Sequence, residues 1–216
     1  MNVHIYWDGD DVLFDTSTQF YGIMEQKYGL RLEPDLFLTP ENTMGCLKPE
    51  LDSAEFMRTT PIVPDAVAAL NHIQRNFPTI NNNLATHRGY HEDGQRFTDE
   101  LLHHHQISLH NRLYIDPAAH KDKMGVLRSI HSKDDIVILV DDNTYYDHDK
   151  YPNTYTVLID KPWNKDVVTT HPYLRVTPDK LCDVLCFILR KHNVPESDLW
   201  KKDQELNSPL KLAAGL

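Results

Sequence analysis

Short apolar segments and longer amphipathic segments alternate along most of the chain. Segments of strand length, most of them apolar, lie at about residues 3–7, 80–86, 112–115, 136–140 and 155–159. Stretches with apolar residues three and four positions apart predict helices at 17–28, 65–76, 93–105, 123–130 and 177–192. The segment 136–140 is apolar without interruption, which is typical of a parallel strand whose two faces are both buried. The alternation predicts a three-layered α/β fold with a parallel sheet.

The segment 16–63 interrupts this alternation. Its first part reads as a helix that ends at Gly29, and the rest is divided into short pieces by prolines. We therefore expect a small helical cap at 16–63, inserted after the first strand of a core formed by 1–15 and 64–193, with a C-terminal tail at 194–216. A cap in this position can close over a small substrate and exclude water.

Length, charge and hydropathy limit the kinds of partner. The 216 residues, of which 40% are hydrophobic, suffice for one domain of about 150 residues plus an insertion. The net charge of −10 argues against a nucleic-acid polymer as the main partner, because phosphate backbones recruit basic surfaces. The chain shows no signal peptide and no apolar run of the ~18 residues that a membrane span needs. We expect a cytoplasmic protein without a membrane partner, as a monomer or a homodimer.

The cysteines give no sign of a disulfide framework. Cys46, Cys182 and Cys186 are too few and too scattered for such a framework or for a four-ligand metal site. Cys182 and Cys186 lie four residues apart on a predicted apolar helix. We interpret both as buried apolar packing residues.

Acidic residues crowd the end of the first predicted strand. The apolar run 3–7 stops at Asp8-Gly9-Asp10-Asp11. Carboxylates placed together at the end of a buried strand repel one another and lose hydration, so such a cluster usually persists because a cation binds in it. Oxygen ligands alone favour a hard ion such as Mg²⁺. The alternative interpretation is a polar turn after an edge strand.

Three further segments carry the hydroxyl, the positive charge and the additional carboxylates that such a site needs. Thr86 follows the second predicted strand, Lys123 opens a helix, and the pair Asp141-Asp142 follows the apolar strand 136–140. In open α/β sheets, binding sites form at the carboxyl ends of the strands. These residues are therefore expected to lie beside Asp8, although they are far apart in the sequence.

Four features of the chain resemble, in the right order, the four motifs of the haloacid dehalogenase-like (HAD) phosphohydrolases: DGDDVLFD, ATHRG, Lys123 and ILVDD. The resemblance spans roughly residues 1–190. It implies a Rossmann-like parallel sheet with an inserted cap. The segments 158–164 and 174–176 also resemble the 5′(3′)-deoxyribonucleotidase-like branch, where a Pro-aromatic-Asn run precedes Arg-Val. In this segment, Trp163 and Asn164 either contact a substrate base or anchor a packed loop.

The resemblance assigns the nucleophile and the general acid–base. Asp8 is the candidate that forms an aspartyl-phosphate, and Asp10 protonates the leaving alkoxide and then activates water. Gly9 stands where a larger apolar residue is commoner in the family, which implies greater backbone freedom.

The resemblance also assigns phosphate-binding groups. The Thr86 hydroxyl and the His87 backbone N–H hold phosphoryl oxygens, and Lys123 supplies positive charge. Lys121 competes for the lysine role, but Lys123 starts the helix in the expected register. Arg88 either touches the phosphate or faces water.

The metal ligands follow from the same motifs. Asp8 and Asp10 are expected to bind Mg²⁺, with Asp10 contributing its backbone carbonyl. Asp142 is favoured as a direct ligand and Asp141 as its neighbour.

Two classes of function are consistent with these residues. The first is a Mg²⁺-dependent phosphomonoesterase of small phosphates, with (deoxy)nucleoside monophosphates favoured over other small phosphates or polynucleotide ends. The second is a non-catalytic protein that binds a phosphorylated ligand. The presence of Asp10 favours the enzyme, because a pure binder has no need of a general acid.

Overall fold

Six parallel strands form one sheet in the computed structural model, which describes residues 2–34, 36–144, 151–166 and 173–197. Their order is β3-β2-β1-β4-β5-β6. The strands are β1 (Val3–Trp7), β2 (Asn81–Thr86), β3 (Arg112–Tyr114), β4 (Ile136–Asp141), β5 (Thr154–Ile159) and β6 (Tyr173–Val176). The three strands that carry the candidate site residues, β2, β1 and β4, are thus neighbours.

Six α-helices connect and cover these strands within the described ranges. They are α1 (Thr16–Tyr28), α2 (Leu47–Ser53), α3 (Pro64–Asn76), α4 (Gly94–His104), α5 (Lys123–Ser129) and α6 (Leu181–Lys191). None of the described helices is both long and apolar enough to cross a membrane.

The sheet has a hydrophobic core on each face. In β1, Ile5 and Trp7 belong to one buried cluster and Tyr6 to another, because successive strand residues point to opposite faces. The cluster around Ile5 takes its helical members from α3, α4 and α6, whereas the cluster around Tyr6 takes them from α5. Both faces are therefore covered, which confirms the predicted three-layered α/β fold and explains why β4 is apolar throughout.

The polar strand β2 is stabilised by side-chain amides. Asn82 Oδ1 accepts a hydrogen bond from Trp7 Nε1 at 3.0 Å, and Asn83 Oδ1 accepts one from Asn111 Nδ2 at 3.0 Å. Asn82 and Asn83 are both fully buried. Buried amide groups cost little when they are paired, so asparagines can occupy an interior strand. Among the described residues, Asn82 Nδ2 is buried without a hydrogen-bond partner, so this pairing is incomplete.

The segment predicted as a cap contains more structure than its prolines suggested. Besides the predicted helix α1, it holds α2 and a 3₁₀ helix at Glu55–Arg58. Phe20 and Phe56 pack there with Phe97 of α4 in a small third cluster. Arg58 joins the same contact, because its guanidinium lies 4.0 Å from the centre of the Phe97 ring and pairs with Glu100 at 2.8 Å. The division into core and cap stays a prediction.

Most predicted elements are present with bounds within a few residues. The strand β6 was not predicted, since the segment was recognised only for its Arg-Val pair. The predicted helix at 177–192 consists of a 3₁₀ turn at Pro178–Lys180 followed by α6. The predicted tail 194–216 lies outside the described residues from 198 onward.

The imidazole of His131 gives the fold a pH dependence. Its Nε2 lies 2.7 Å from Tyr6 Oη, and its ring stacks 4.0 Å from that of His4. Burial, followed by the neighbouring His4, lowers the pKa of His131 to about 4. The unfolded chain takes up this proton near pH 6.5, so the free energy of unfolding should fall as pH drops from about 6.5 to about 4.

We predict that His131→Gln reduces this pH dependence, because the variant has no imidazole to protonate. Urea unfolding between pH 7 and pH 4 measures the effect. The exposed His103→Gln should retain the wild-type slope. Equal slopes for wild type and His131→Gln would show that His131 does not contribute.

Candidate active site

The candidate site lies where β1, β2 and β4 end. Trp7 pairs with Leu84 of β2 and with Val140 of β4, and the next residue, Asp8, donates its backbone N–H to the Val140 carbonyl at 2.9 Å. The parallel register therefore carries Asp8, Thr86 and Asp141 to the same edge of the sheet. The predicted convergence of these strand ends is observed.

Lys123 lies between two of the carboxylates. Its Nζ is 2.8 Å from Asp8 Oδ2 and 2.8 Å from Asp141 Oδ2, and its side chain is 1% exposed. The backbone places it there because α5 begins at Lys123, directly beside the strand ends. Lys121, the competing lysine, is exposed. The geometry thus brings Lys123, and not Lys121, to the candidate nucleophile.

Three buried carboxylates form a group that we call the acidic trio: Asp8, Asp141 and Asp142. Each offers an oxygen atom within 4.8 Å of the others. Burial, opposed by Lys123 and reinforced by the other carboxylates, raises the pKa of Asp8 to about 8. Burial and the negative charges of Asp141 and Asp8 also raise the pKa of Asp142 well above its usual range.

When all three carboxylates are ionised, the trio carries three negative charges against the single positive charge of Lys123. All of its donors are carboxylate oxygens, the ligands preferred by Mg²⁺. This donor set fits the predicted magnesium ion.

The loop that follows β5 supports Asp142. Trp163 Nε1 donates to Asp142 Oδ2 at 2.8 Å, and Asn164 Nδ2 donates to the Asp142 carbonyl at 2.7 Å. Arg175 of β6 in turn donates to Asn164 Oδ1 at 2.7 Å. Trp163 and Asn164 thus act as loop anchors, and the side-chain amide of Asn164 is buried against the candidate metal loop rather than open to a substrate.

Asp10 points away from the acidic trio. Its Oδ1 accepts hydrogen bonds from Arg88 Nη2 at 2.7 Å, Arg88 Nε at 3.0 Å and Thr16 Oγ1 at 2.6 Å. Burial alone would raise the pKa of Asp10, but the Arg88 guanidinium outweighs it and holds the pKa below its usual range. The Asp10 side chain is therefore not part of the acidic trio, and the expected metal contact through its backbone carbonyl stays a prediction.

The structure excludes one of the two alternatives that the sequence left open for Arg88. It is 0% exposed, so it does not face water. Its guanidinium lies 4.8 Å from the centre of the Phe14 ring in addition to the two bonds to Asp10. The only signal in the sequence was the arginine within the motif ATHRG, and nothing in that segment indicated that Asp10 is its partner.

Two glycines allow the close approaches that this arrangement needs. A Cβ on Gly94 would lie 1.9 Å from the Arg88 carbonyl oxygen, which no side chain can tolerate. A Cβ on Gly9 would lie 3.1 Å from Thr86 Oγ1. The missing side chain at Gly9 therefore leaves room around the buried Thr86 hydroxyl.

A cavity of about 320 Å³ lies between the candidate site and the segment 16–63, and residues of both line it. His87 and Asp10 lie in its wall, beside Asp11. Most of the remaining wall is apolar or aromatic, formed by Phe20, Phe37, Leu38, Leu47, Leu51, Phe56, Tyr90 and Pro117. Among the described residues, no lysine or arginine lines it.

No protein-family model matches the chain, and no curated protein matches its sequence. Solved structures do match its architecture. An L-2-haloacid dehalogenase from Xanthobacter autotrophicus has a TM-score of 0.55 at 12% identity, over 86% of this chain and 99% of its own. A HAD-superfamily hydrolase of subfamily IA from Geobacter sulfurreducens has a TM-score of 0.50 at 14% identity, over 86% of this chain and 96% of its own. The fold is that of HAD-superfamily hydrolases. At these identities the likeness concerns the fold alone, so it leaves both the activity and the substrate open.

We predict that Mg²⁺ raises the melting temperature of the protein, because a cation in the acidic trio relieves carboxylate repulsion. At a concentration about 100 times Kd, the gain is about 2.7 kcal/mol, or roughly 5–10 °C for a chain of this length. Thermal scans with and without Mg²⁺ measure it. Asp142→Asn should lose most of the gain, and the exposed Asp134→Asn should keep it. An equal gain in both variants would place the cation elsewhere.

Proposed function

We propose that the protein is a Mg²⁺-dependent phosphomonoesterase that forms an aspartyl-phosphate on Asp8. The observation that carries the proposal is the buried Asp8 carboxylate, 2.8 Å from Lys123 Nζ and grouped with Asp141 and Asp142. A carboxylate can attack a phosphate dianion only when positive charge is concentrated beside both groups. Lys123 supplies part of that charge from the protein itself.

The first half-reaction uses Asp8 and Asp10. Arg88 favours the ionised form of Asp10, so Asp10 must first take up a proton, which the negative charge of an incoming phosphate promotes. An Asp8 oxygen then attacks phosphorus, the bond to the ester oxygen breaks, and Asp10 gives that proton to the departing alkoxide. Bound Mg²⁺, held by Asp8, Asp142 and the Asp10 carbonyl, would supply positive charge for the phosphoryl oxygens and keep the carboxylates ionised. Thr86 Oγ1 and the His87 N–H hold the other phosphoryl oxygens.

The second half-reaction returns the enzyme to its starting state. Asp10, now ionised, takes a proton from water, the resulting hydroxide attacks phosphorus, and the bond from phosphorus to Asp8 breaks. The hydrogen bonds from Arg88 and Thr16 all reach Oδ1 of Asp10. No described residue donates to its Oδ2, so that oxygen is the one that exchanges protons with the substrate and with water.

The cavity beside Asp10 favours a particular leaving group. Its wall contains four aromatic side chains, those of Phe20, Phe37, Phe56 and Tyr90. A planar, uncharged base can pack against such side chains, whereas further phosphates would meet no lysine or arginine among the described wall residues. Nucleoside monophosphates fit these properties better than nucleoside diphosphates or polynucleotide ends, whose leaving groups are charged.

We predict Mg²⁺-dependent release of phosphate from nucleoside monophosphates. The kcat/KM for a monophosphate should exceed that for the matching diphosphate by on the order of tenfold or more. Asp8→Asn should lower kcat by at least about 10³-fold, because it removes the nucleophile. Asp134→Asn should behave as wild type. A panel of 5′- and 3′-monophosphates, diphosphates and sugar phosphates measures these rates.

Turnover that persists in Asp8→Asn would contradict the covalent mechanism. Absence of turnover for every substrate, together with tight binding of a monophosphate, would favour the non-catalytic phospho-ligand binder. Preference for a sugar phosphate would retain the mechanism and reject the nucleotide assignment.

We predict that Arg88→Met lowers kcat by about 10²-fold, with KM within a few-fold, because Arg88 positions Asp10 without reaching the phosphate site. Arg88→Lys retains a cation beside Asp10 and should recover part of the loss. The exposed Arg96→Met serves as the control. A rise in KM with kcat unchanged would show instead that Arg88 binds substrate.

A further inference from the structure

A second group of potential ligands lies on the helices that cover one face of the sheet, apart from the acidic trio. It consists of His72 on α3 and of Cys182 and Cys186 on α6. None of the three lines the cavity described above. The group therefore has no part in the proposed hydrolysis.

Helix periodicity and helix packing bring these side chains together. Cys182 and Cys186 are four residues apart, so they project from the same side of α6 on successive turns. α3 packs against α6 and presents His72 to both. One ligand atom from each residue lies within 4.8 Å of the other two. The sequence alone gave only two cysteines of a buried helix, because His72 is far away in the chain.

The distances are close to those of a metal site. Ligand atoms around one Zn²⁺ bind at about 2.0–2.3 Å, so they are roughly 3.5–3.8 Å apart. The ligand atoms lie within 4.8 Å of one another, so they need to approach by at most about 1 Å, which rotation of the half-buried Cys182 and His72 side chains can supply. Cys186 itself is 6% exposed, so it forms the buried end of the group.

The charges around the group are compatible with a cation. Two cations, Arg75 and Arg190, lie near His72; Arg190 pairs with Glu196 at 2.7 Å, and Asp183 adds a negative charge. The hydrogen bond between the two thiols lowers the pKa of Cys182 and raises that of Cys186, so the metal itself must displace the Cys186 proton. Two thiolates balance the charge of a divalent cation, and each thiol releases its proton to water when it binds.

We propose that His72, Cys182 and Cys186 form a three-ligand Zn²⁺ site that links α3 to α6, with water in the fourth position. Two sulfur atoms and one imidazole nitrogen select a borderline or soft ion, and they select against Mg²⁺, which prefers oxygen. The protein thus has two metal sites of opposite chemical preference: an oxygen site, the acidic trio, at the ends of the strands, and a sulfur–nitrogen site between the helices α3 and α6. A bound ion cross-links the two helices and stabilises their packing.

Cadmium titration of the full chain tests this site directly. The chelator-treated, reduced protein should show a cadmium–thiolate charge-transfer band that saturates at one equivalent, and prior addition of Zn²⁺ should shift this titration to higher Cd²⁺ concentration. Zn²⁺ should also raise the melting temperature. Cys182→Ser should abolish the band, and His72→Gln should weaken binding by at least about tenfold. Cys46→Ser and Asp142→Asn should leave the band unchanged, which separates this site from the other cysteine and from the acidic trio.

Absence of the band in the wild-type protein would overturn the proposal, and so would a band that survives in Cys182→Ser. Cys182 is half-buried, so its serine variant is less disruptive than one at Cys186. Neither readout depends on phosphatase activity, so the zinc site and the proposed function can fail separately.

Discussion

The contact of Lys123 with Asp8 and Asp141 is the interaction on which the site depends. The parallel register of β1 and β4 forces these two carboxylates together at the edge of the sheet. Without a cation between them, burial and mutual repulsion would oppose the strand pairing that forms the core. Because α5 starts at Lys123, the same residue begins a helix and places a positive charge between the carboxylates at the end of the sheet.

A single turn of backbone contains two carboxylates with opposite electrostatics. Burial among like charges raises the pKa of Asp8, whereas Arg88 lowers that of Asp10. Both shifts oppose the proposed roles, which need Asp8 ionised and Asp10 protonated. A cation in the acidic trio would lower the pKa of Asp8, and a phosphate dianion beside Asp10 would raise that of Asp10. Here the difference comes from direction: Asp8 points toward β4, and Asp10 toward Arg88.

The sequence predicted those features of the structure that depend on the local pattern of apolar residues or on the positions of strand ends. The apolar run of β4 identified a doubly buried strand, and the strand-end positions of Asp8 and Asp141 predicted their meeting. The partnership of Arg88 with Asp10 could not be predicted, because 78 positions separate them and nothing in either segment specifies the pairing. β6 was missed because it is a four-residue edge strand without a strong alternating pattern.

The small cluster that joins Phe20 and Phe56 to Phe97 has a consequence for the size of ligand that the cavity beside Asp10 can hold. Phe20 and Phe56 also line the cavity beside Asp10, so the same side chains hold the segment 16–63 on α4 and form part of the cavity wall. Widening the cavity for a bulkier leaving group would expose these rings and strain the Arg58 contact with Phe97. Enlarging the cavity at Phe20 or Phe56 therefore weakens the anchoring of this segment, so a variant that holds a larger ligand is expected to lose stability.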